Sequence, residues 1–241
     1  MFAARLDTDQ EAARLVQQIE TVGYGVVDGV LDDAALTQAR DFVGASIRSA
    51  DGAYVGFTGP EELAGSGLDR IGRSSHFRAL TDRIYELGTG EKPPEQDYYQ
   101  IMRCLTGQCA AEHSYIFHYD SYVLTVLLPI EIPTCGQTGD LIMLPNTRPV
   151  RSSYAMNLLD KIALDNKATQ WVLRMLHRNK RLPVTRLQLV PGSAYFFWGY
   201  RSIHANEPCD IGSIRATALF HFANPHTGSA LYRRRRTHSR P

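Results

Sequence analysis

The chain has 241 residues, a formal net charge of +1 and a hydrophobic content of 44%. This near-neutral charge gives no electrostatic reason to expect nucleic acid or a membrane surface as a partner, and no run approaches the roughly 20 apolar residues that span a bilayer. Four cysteines without Cys-x-x-Cys spacing indicate reduced thiols. We therefore expect a cytoplasmic protein with enough apolar residues for a sizeable core.

The first 96 residues are predicted to form a helical support with a loop. Apolar residues recur there at helical spacing in three stretches, with a short strand at 24–28 between the first two. Helices are predicted from Thr8 to near Gly23, from Asp32 or Asp33 to Ile47, and from Phe77 to near Gly88. Glycine and polar residues dominate 49–75, which predicts a long loop. That loop is either a mobile cover over a site or a surface excursion without a role.

From residue 97 to 225, short apolar and aromatic segments alternate with turn signals, which favours an all-β barrel or sandwich over a parallel α/β sheet. Strands are predicted at 98–105, 115–120, 122–130, 140–144, 186–189, 193–198, 202–204 and 214–222. Between them, residues 154–182 carry apolar residues at helical spacing and predict one or two helices. Their apolar stripe is expected to pack in the core; a substrate lid or an interface is the alternative.

A candidate metal site begins with His118 and Asp120, which stand two residues apart in a predicted strand. Alternation sends both side chains to one face. His204 is the candidate for a third ligand, and two histidines with one carboxylate form the facial ligand set of non-haem Fe(II) oxygenases. His-x-Asp alone also arises by chance, and a core histidine bonded within a sheet is the alternative for His118.

A second candidate group lies after His204. The turn signal at 207–213 separates two strand-like segments, and a hairpin centred there would place Arg215 opposite His204. Alternation puts Arg215 and Thr217 on the face opposite a run of apolar residues, so we predict that they point inward. A guanidinium beside a hydroxyl suits a bound carboxylate. Gln100 is a further candidate to hydrogen-bond the same ligand.

These motifs resemble the double-stranded β-helix core of the Fe(II)/2-oxoglutarate-dependent oxygenases, and most closely the phytanoyl-CoA dioxygenase-like branch. That family combines His-x-Asp, a strand of the type Gly-x-Leu-x-x-x-Pro, and a distal His followed eleven positions later by Arg. Here they appear as His118 with Asp120, as Gly139 to Pro145, and as His204 with Arg215. The chain departs from the family after Pro145, where Gly-Ser-His is common and Asn-Thr-Arg stands instead.

The resemblance implies a mainly β fold with flanking helices, built on a jelly-roll or cupin-like double-stranded β-helix barrel. We expect a single domain, 1–241, divided into the support at 1–96, the core at 97–225, a helical insertion at about 154–182, and a basic tail at 226–241. The implied cofactors are Fe(II), 2-oxoglutarate as cosubstrate, and O2. The implied ligands of iron are His118, Asp120 and His204; the implied cosubstrate residues are Arg215, Thr217 and Gln100.

The implied reaction is oxidation of a small-molecule substrate, either hydroxylation or oxidative ring closure. Aromatic residues near the ligands favour a polar, ring-bearing substrate such as a sugar-containing natural product. Two alternatives stay open. One is a protein-modifying 2-oxoglutarate hydroxylase that docks its partner on the insertion and the tail, and the other is a cupin-like binding protein without turnover.

Overall fold

The structure is a computed structural model that describes residues 8–50, 54–106 and 112–232. The α-helices with bounds inside these ranges are α1 (Thr8–Val22), α2 (Asp33–Ser49), α3 (Ser75–Thr89), α4 (Tyr154–Asp165) and α5 (Lys167–Arg178). The strands of the same ranges are β1 (Gly25–Val27), β2 (Val55–Thr58), β3 (Tyr99–Thr106), β4 (Leu124–Glu131), β5 (Leu141–Leu144), β6 (Thr185–Leu187), β7 (Ala194–Phe197), β8 (Ile203–Asn206) and β9 (Ile214–Phe222).

The strands form two antiparallel sheets. The larger has the order β1-β7-β4-β9-β3-β2, and the smaller has the order β6-β5-β8. Their inner faces meet in one apolar cluster, because alternate side chains of each strand point between the sheets. From the large sheet this cluster takes Leu127, Tyr195 and Phe197, and from the small sheet Leu141, Met143 and Leu187.

The outer face of the large sheet is covered by α1, α2 and α3. Ala216, Ala218, Phe220 and Phe222 of β9 are fully buried in the core that these helices share with the sheet. Burial of each large apolar side chain contributes about 1.5–3 kcal/mol relative to exposure, so the register of β9 is strongly fixed. The intervening residues of β9 must then point between the two sheets.

The three N-terminal helices confirm the prediction from apolar spacing. The side chain of Asp32 accepts a hydrogen bond from the backbone N–H of Ala35 at the start of α2, and Ser74 caps α3 in the same way. Gly90 ends α3 with a φ of 73°, a left-handed conformation that costs glycine nothing. Capping residues, and not only periodicity, therefore set the start of α2 and both ends of α3.

Three local predictions are wrong. The expected loop at 49–75 contains β2, which pairs with β3 at the edge of the large sheet. The expected strand at 115–120 is an irregular segment. Among the described residues, it pairs with a strand at one position, where His118 lies opposite His204. The expected hairpin after His204 does not form, because β8 pairs with β5 in the small sheet whereas β9 pairs with β3 and β4 in the large one.

The helices α4 and α5 occupy the interval predicted to be helical, but their apolar stripe is not core. Leu159, Ile162 and Trp171 are 59%, 57% and 63% exposed. The pair is anchored to the sheets by other residues, chiefly Leu164 and the amide of Gln170, which bonds both backbone groups of Phe117. No other described element covers the outer side of this helical pair.

The mainly antiparallel architecture with flanking helices confirms the predicted class, whereas closure of the two sheets into a barrel stays a prediction. The division into support, core, insertion and tail also stays a prediction, and the arginine run of the tail lies outside the described residues. Among the helices that are described, none is both long and apolar enough to cross a bilayer.

Candidate metal centre

Backbone hydrogen bonds bring three predicted ligands to one place between the sheets. His118 and His204 exchange both of their backbone bonds, N–H to O=C, at 3.0 Å each. The backbone N–H of Asp120 donates to the carbonyl of Gly199 at 2.9 Å. Strand β8 and the turn that follows β7 therefore fix the segment that carries the other two candidates, although that segment is not itself a strand.

The three side chains converge on a common point. Oδ1 of Asp120 lies 3.6 Å from Nε2 of His118 and 3.5 Å from Nε2 of His204, and one ligand atom from each residue lies within 4.8 Å of the others. A metal with bonds of about 2.1 Å separates adjacent octahedral ligands by about 3 Å. The donor set fits a divalent metal after small side-chain adjustments.

The Nδ1 atom of each imidazole is hydrogen-bonded to a backbone carbonyl oxygen. Nδ1 of His118 lies 2.9 Å from the carbonyl oxygen of Ile116, and Nδ1 of His204 lies 3.1 Å from the carbonyl oxygen of Ser202. A carbonyl only accepts hydrogen bonds, so both Nδ1 atoms carry the proton. In the neutral form of each ring, Nε2 then presents a lone pair towards the common point, which is the tautomer that a metal-binding histidine adopts.

The outer oxygen of Asp120 is held by a polar chain from the large sheet. The hydroxyl of Thr125 donates to Oδ2 of Asp120 at 2.5 Å and lies 3.0 Å from Nδ1 of His221. Gly199 packs against the same carboxylate so closely that a Cβ there would overlap Oδ2. The carboxylate is thus oriented with Oδ1 towards the two histidines.

Charges within the cluster shift its pKa values. Burial alone would raise the pKa of Asp120, but His204 and then His221 bring it well below its usual value. Burial opposes a charge on His204, yet Asp120 raises that pKa. Desolvation, with repulsion from His204, lowers the pKa of His118 to about 4 even though 35% of its side chain is exposed. Asp120 is therefore ionised and His118 neutral at pH 7.

Arg215 lies in the wall of the same space and is 2% exposed. Its Nε donates to the carbonyl of Gly139 at 2.8 Å, and its Nη2 donates to Oδ1 of Asn206 at 2.8 Å. Burial lowers its pKa to about 10, so it stays protonated at neutral pH. No carboxylate of the described residues pairs with it, and a buried guanidinium in this state suits an incoming anion.

These groups surround a cavity of about 230 Å³ between the two sheets. His118, Asp120 and His204 contribute to its wall, as do Arg215 and Thr217. The structure thus brings five of the six predicted site residues to one space. Arg215 reaches it across the gap between sheets, and not through the hairpin that the sequence suggested.

Gln100 is not brought to this cavity. Its side chain shares a face of β3 with Met102 and Cys104, which are buried in the core under the helices. Its amide donates to the carbonyl of Leu68 at 3.0 Å. The prediction chose a polar residue on the right strand but on the wrong side of it.

Sequence reasoning missed Arg148, which stands where the chain departs from the family motif. Its guanidinium lies 3.7 Å from the ring centre of Tyr119 and 4.3 Å from that of Tyr200. It also donates to Asp160 at 2.9 Å and to Asn157 at 3.0 Å. Because Tyr119 stands between His118 and Asp120 in the chain, Arg148 ties helix α4 to the segment that carries the candidate ligands.

No family model and no curated protein matches this sequence, so the branch assigned from the motifs stays a prediction. Solved structures do share the fold. A prolyl hydroxylase from Trichoplax adhaerens, in complex with a peptide fragment of the hypoxia inducible factor oxygen degradation domain, gives a TM-score of 0.58 at 15% identity, over 97% of this chain and 94% of that chain.

Two similar structures come from nogalamycin biosynthesis. The non-haem α-ketoglutarate-dependent carbocyclase SnoK gives a TM-score of 0.52 at 14% identity, over 96% of this chain and 94% of that chain. The epimerase SnoN gives 0.51 at 14% identity, over 91% and 87%, and has also been solved with Fe3+, α-ketoglutarate and nogalamycin RO. At such identities the similarity establishes a common fold.

Proposed function

We propose that this chain is a non-haem Fe(II) oxygenase that uses 2-oxoglutarate and O2 to oxidise a small molecule. The carrying observation is the convergence of the Nε2 atoms of two histidines and one carboxylate oxygen on a single point, next to a buried arginine that has no carboxylate partner among the described residues. The similarity in fold to SnoK and SnoN, two non-haem α-ketoglutarate-dependent enzymes of nogalamycin biosynthesis, supports the use of a metal and 2-oxoglutarate.

In this proposal His118, Asp120 and His204 hold Fe(II) through Nε2, Oδ1 and Nε2. The ionised carboxylate offsets part of the metal charge. The neutral imidazole of His118 would bind without losing a proton, whereas Asp120 favours a proton on His204, and that proton would leave Nε2 when the metal binds. When bound, iron and 2-oxoglutarate supply the activation of oxygen for attack on a C–H bond of the substrate.

Arg215 is the proposed anchor for the distal carboxylate of 2-oxoglutarate. Its two described hydrogen bonds fix the plane of the guanidinium and leave Nη1 free to donate. The buried hydroxyl of Thr217, two residues along β9, can donate to the same carboxylate. The anchor therefore lies on the large sheet, whereas His204 comes from the small sheet, and the cosubstrate would bridge them.

The size of the cavity constrains how the substrate enters. Ligand pockets commonly enclose about 300–1,000 Å³, and this one encloses about 230 Å³. A bound cosubstrate would fill much of it, so the substrate must present its reacting carbon at the mouth. Tyr54 and Ile116, which line the cavity and are 38% and 43% exposed, mark that mouth.

A second candidate is hydroxylation of a peptide. It is favoured by the similarity in fold to a peptide-bound prolyl hydroxylase and by the exposed apolar face of α4 and α5. The two candidates use the same metal site and differ in the substrate. Release of succinate that depends on a metabolite pool favours the first, and release that depends on a protein extract favours the second.

The decisive test is anaerobic addition of Fe(II) and 2-oxoglutarate, which should produce a weak visible absorption band only if both bind one centre. His204→Ala and Asp120→Ala should lose the band, whereas His76→Ala, on α3, should keep it. A wild-type protein without the band, or a band unaffected by both ligand variants, would refute the assignment.

A further inference from the structure

A second arginine reaches the same cavity. Arg103 stands on β3 directly opposite Thr217 of β9 and lines the cavity. Its neighbours Met102 and Cys104 are fully buried on the helix side of the sheet, so alternation turns Arg103 towards the space between the sheets. Arg103 is nevertheless exposed, whereas Arg215 is 2% exposed. It therefore lies nearer the mouth than Arg215.

Arg103 has no carboxylate partner in the described parts of the chain. Ion pairs engage other arginines of this protein, but none of them includes Arg103, and no described hydrogen bond uses its guanidinium. The positive charge of Arg103 affects Arg215. Burial lowers the pKa of Arg215, and repulsion from Arg103 lowers it further, to about 10. Two guanidinium groups thus repel each other across one small space.

The charges of the loaded site, as proposed above, do not cancel. Iron(II) brings two positive charges and the two arginines bring one each. Asp120 and the dianion of 2-oxoglutarate together bring three negative charges, and His118 and His204 are neutral when they bind metal. One positive charge remains, and it is the charge of Arg103 at the mouth, which the cosubstrate does not neutralise and which can pair with an anion.

An aromatic surface stands beside this charge. The rings of Tyr54 and His113 stack with centroids 4.7 Å apart and planes inclined by 29°, and both residues line the cavity. Ile116 adds an exposed apolar side chain to the same wall. The mouth therefore offers one cation together with flat and apolar surface.

We propose that Arg103 binds a carboxylate or an equivalent oxyanion of the substrate, whose ring or chain rests against Tyr54 and His113. The substrate of this site is then an organic monoanion. This inference rests on the proposed function, because the cosubstrate must occupy Arg215 before Arg103 becomes the remaining cation.

The test uses the anaerobic Fe(II) and 2-oxoglutarate complex of the full chain with matched probes. Phenylacetate and indole-3-acetate are compared with phenylacetamide and indole-3-acetamide by equilibrium dialysis. A charge-assisted pair predicts that each acid binds at least about tenfold more tightly than its amide. Arg103→Met should abolish this preference and leave amide binding unchanged, and Arg103→Lys should retain part of it. Arg73→Met, at an exposed arginine outside the cavity, should behave as wild type.

The outcomes separate the two proposals. Absence of the iron and 2-oxoglutarate absorption band in the wild type refutes the proposed function and, with it, the role of Arg103. An intact band with no preference for the acids, or with a preference that survives Arg103→Met, overturns the role of Arg103 alone. If Arg103→Met keeps the preference for acids but loses affinity for 2-oxoglutarate, the role of Arg103 is overturned and Arg103 binds the cosubstrate instead.

Discussion

The hydroxyl of Thr125 holds Oδ2 of Asp120 at 2.5 Å, so a residue of the large sheet orients a candidate ligand that lies outside it. Thr125 also stands opposite His221 in the pairing of β4 with β9, and their side chains lie 3.0 Å apart. Gly199 packs against the same carboxylate, so Thr125 supplies the hydrogen bond and Gly199 the close packing that together orient it.

Thr125→Val tests that relationship with little change in shape. Loss of a hydrogen bond to a ligating carboxylate lowers metal affinity by about 10- to 100-fold, and we expect this loss for Mn2+ or Fe(II) in calorimetric titration. Thr125→Ser keeps the hydroxyl and should recover most of the affinity. Equal affinities in the valine variant and the wild type would show that Thr125 does not position Asp120.

Gly139→Ala should weaken 2-oxoglutarate binding by displacing Arg215. A Cβ at position 139 would lie 2.5 Å from Cδ of Arg215, and the backbone there has a φ of 74°. Gly90→Ala is the matched control, because its φ is 73° but nothing lies within 4 Å of the added carbon. Both variants suffer backbone strain of about 1–2 kcal/mol.

The measurement for this pair is the dissociation constant of 2-oxoglutarate in the presence of Mn2+, together with the melting temperature. Both variants should melt earlier, and only Gly139→Ala should lose cosubstrate affinity, by about tenfold or more for a displaced charge-assisted bond. A similar loss in Gly90→Ala would attribute the effect to general strain and not to Arg215.

The sequence predicted the inward face of β9 because a strand with one apolar face leaves little freedom of register. Alternation put Arg215 and Thr217 on this inward face, whereas Arg215 itself was singled out by its position eleven residues after His204. The helices α1 to α3 were predicted from the spacing of their apolar residues. The predicted hairpin is wrong for a physical reason. A turn signal indicates that the chain reverses direction, but not which strand the next segment pairs with. Here the chain leaves one sheet at Asn206 and enters the other at Ile214.

Residues that act through polar contacts between distant segments were harder to find. Thr125 is a polar residue inside the buried strand β4, which signals a hydrogen-bonding partner but not its identity. Gln100 gives the same kind of signal, and its partner turned out to be a carbonyl near the helices. Arg148 stands where the sequence differs from the family motif, so the resemblance gives it no role. The structure shows that its guanidinium stacks between two tyrosine rings.

Arg148→Met should destabilise the protein and weaken metal binding together. Its guanidinium is buried and satisfies Asn157 and the carbonyl of Tyr200. Removing one partner of a buried charged network costs about 3–5 kcal/mol, which urea unfolding would measure. Arg151→Met is the control, since Arg151 pairs with the same Asp160 but is 31% exposed, and an exposed pair contributes about 0–1 kcal/mol. Equal decreases in the free energy of unfolding in the two variants would show that the buried contacts of Arg148 stabilise the protein no more than the exposed pair of Arg151.

The same network predicts a dependence of stability on pH. Burial alone would raise the pKa of Asp160, but hydrogen bonds from Arg151 and Arg148 bring it below the ordinary value of 3.8. A carboxyl whose pKa is lower in the folded state stabilises the fold above its unfolded pKa, and this contribution is lost as the pH falls through the folded value. The difference in free energy of unfolding between wild type and Asp160→Asn should therefore be constant from pH 7 to about 5 and shrink below pH 4. A difference that persists unchanged at the lowest pH where both proteins remain folded would show that the ionised carboxylate is not what Arg148 and Arg151 stabilise.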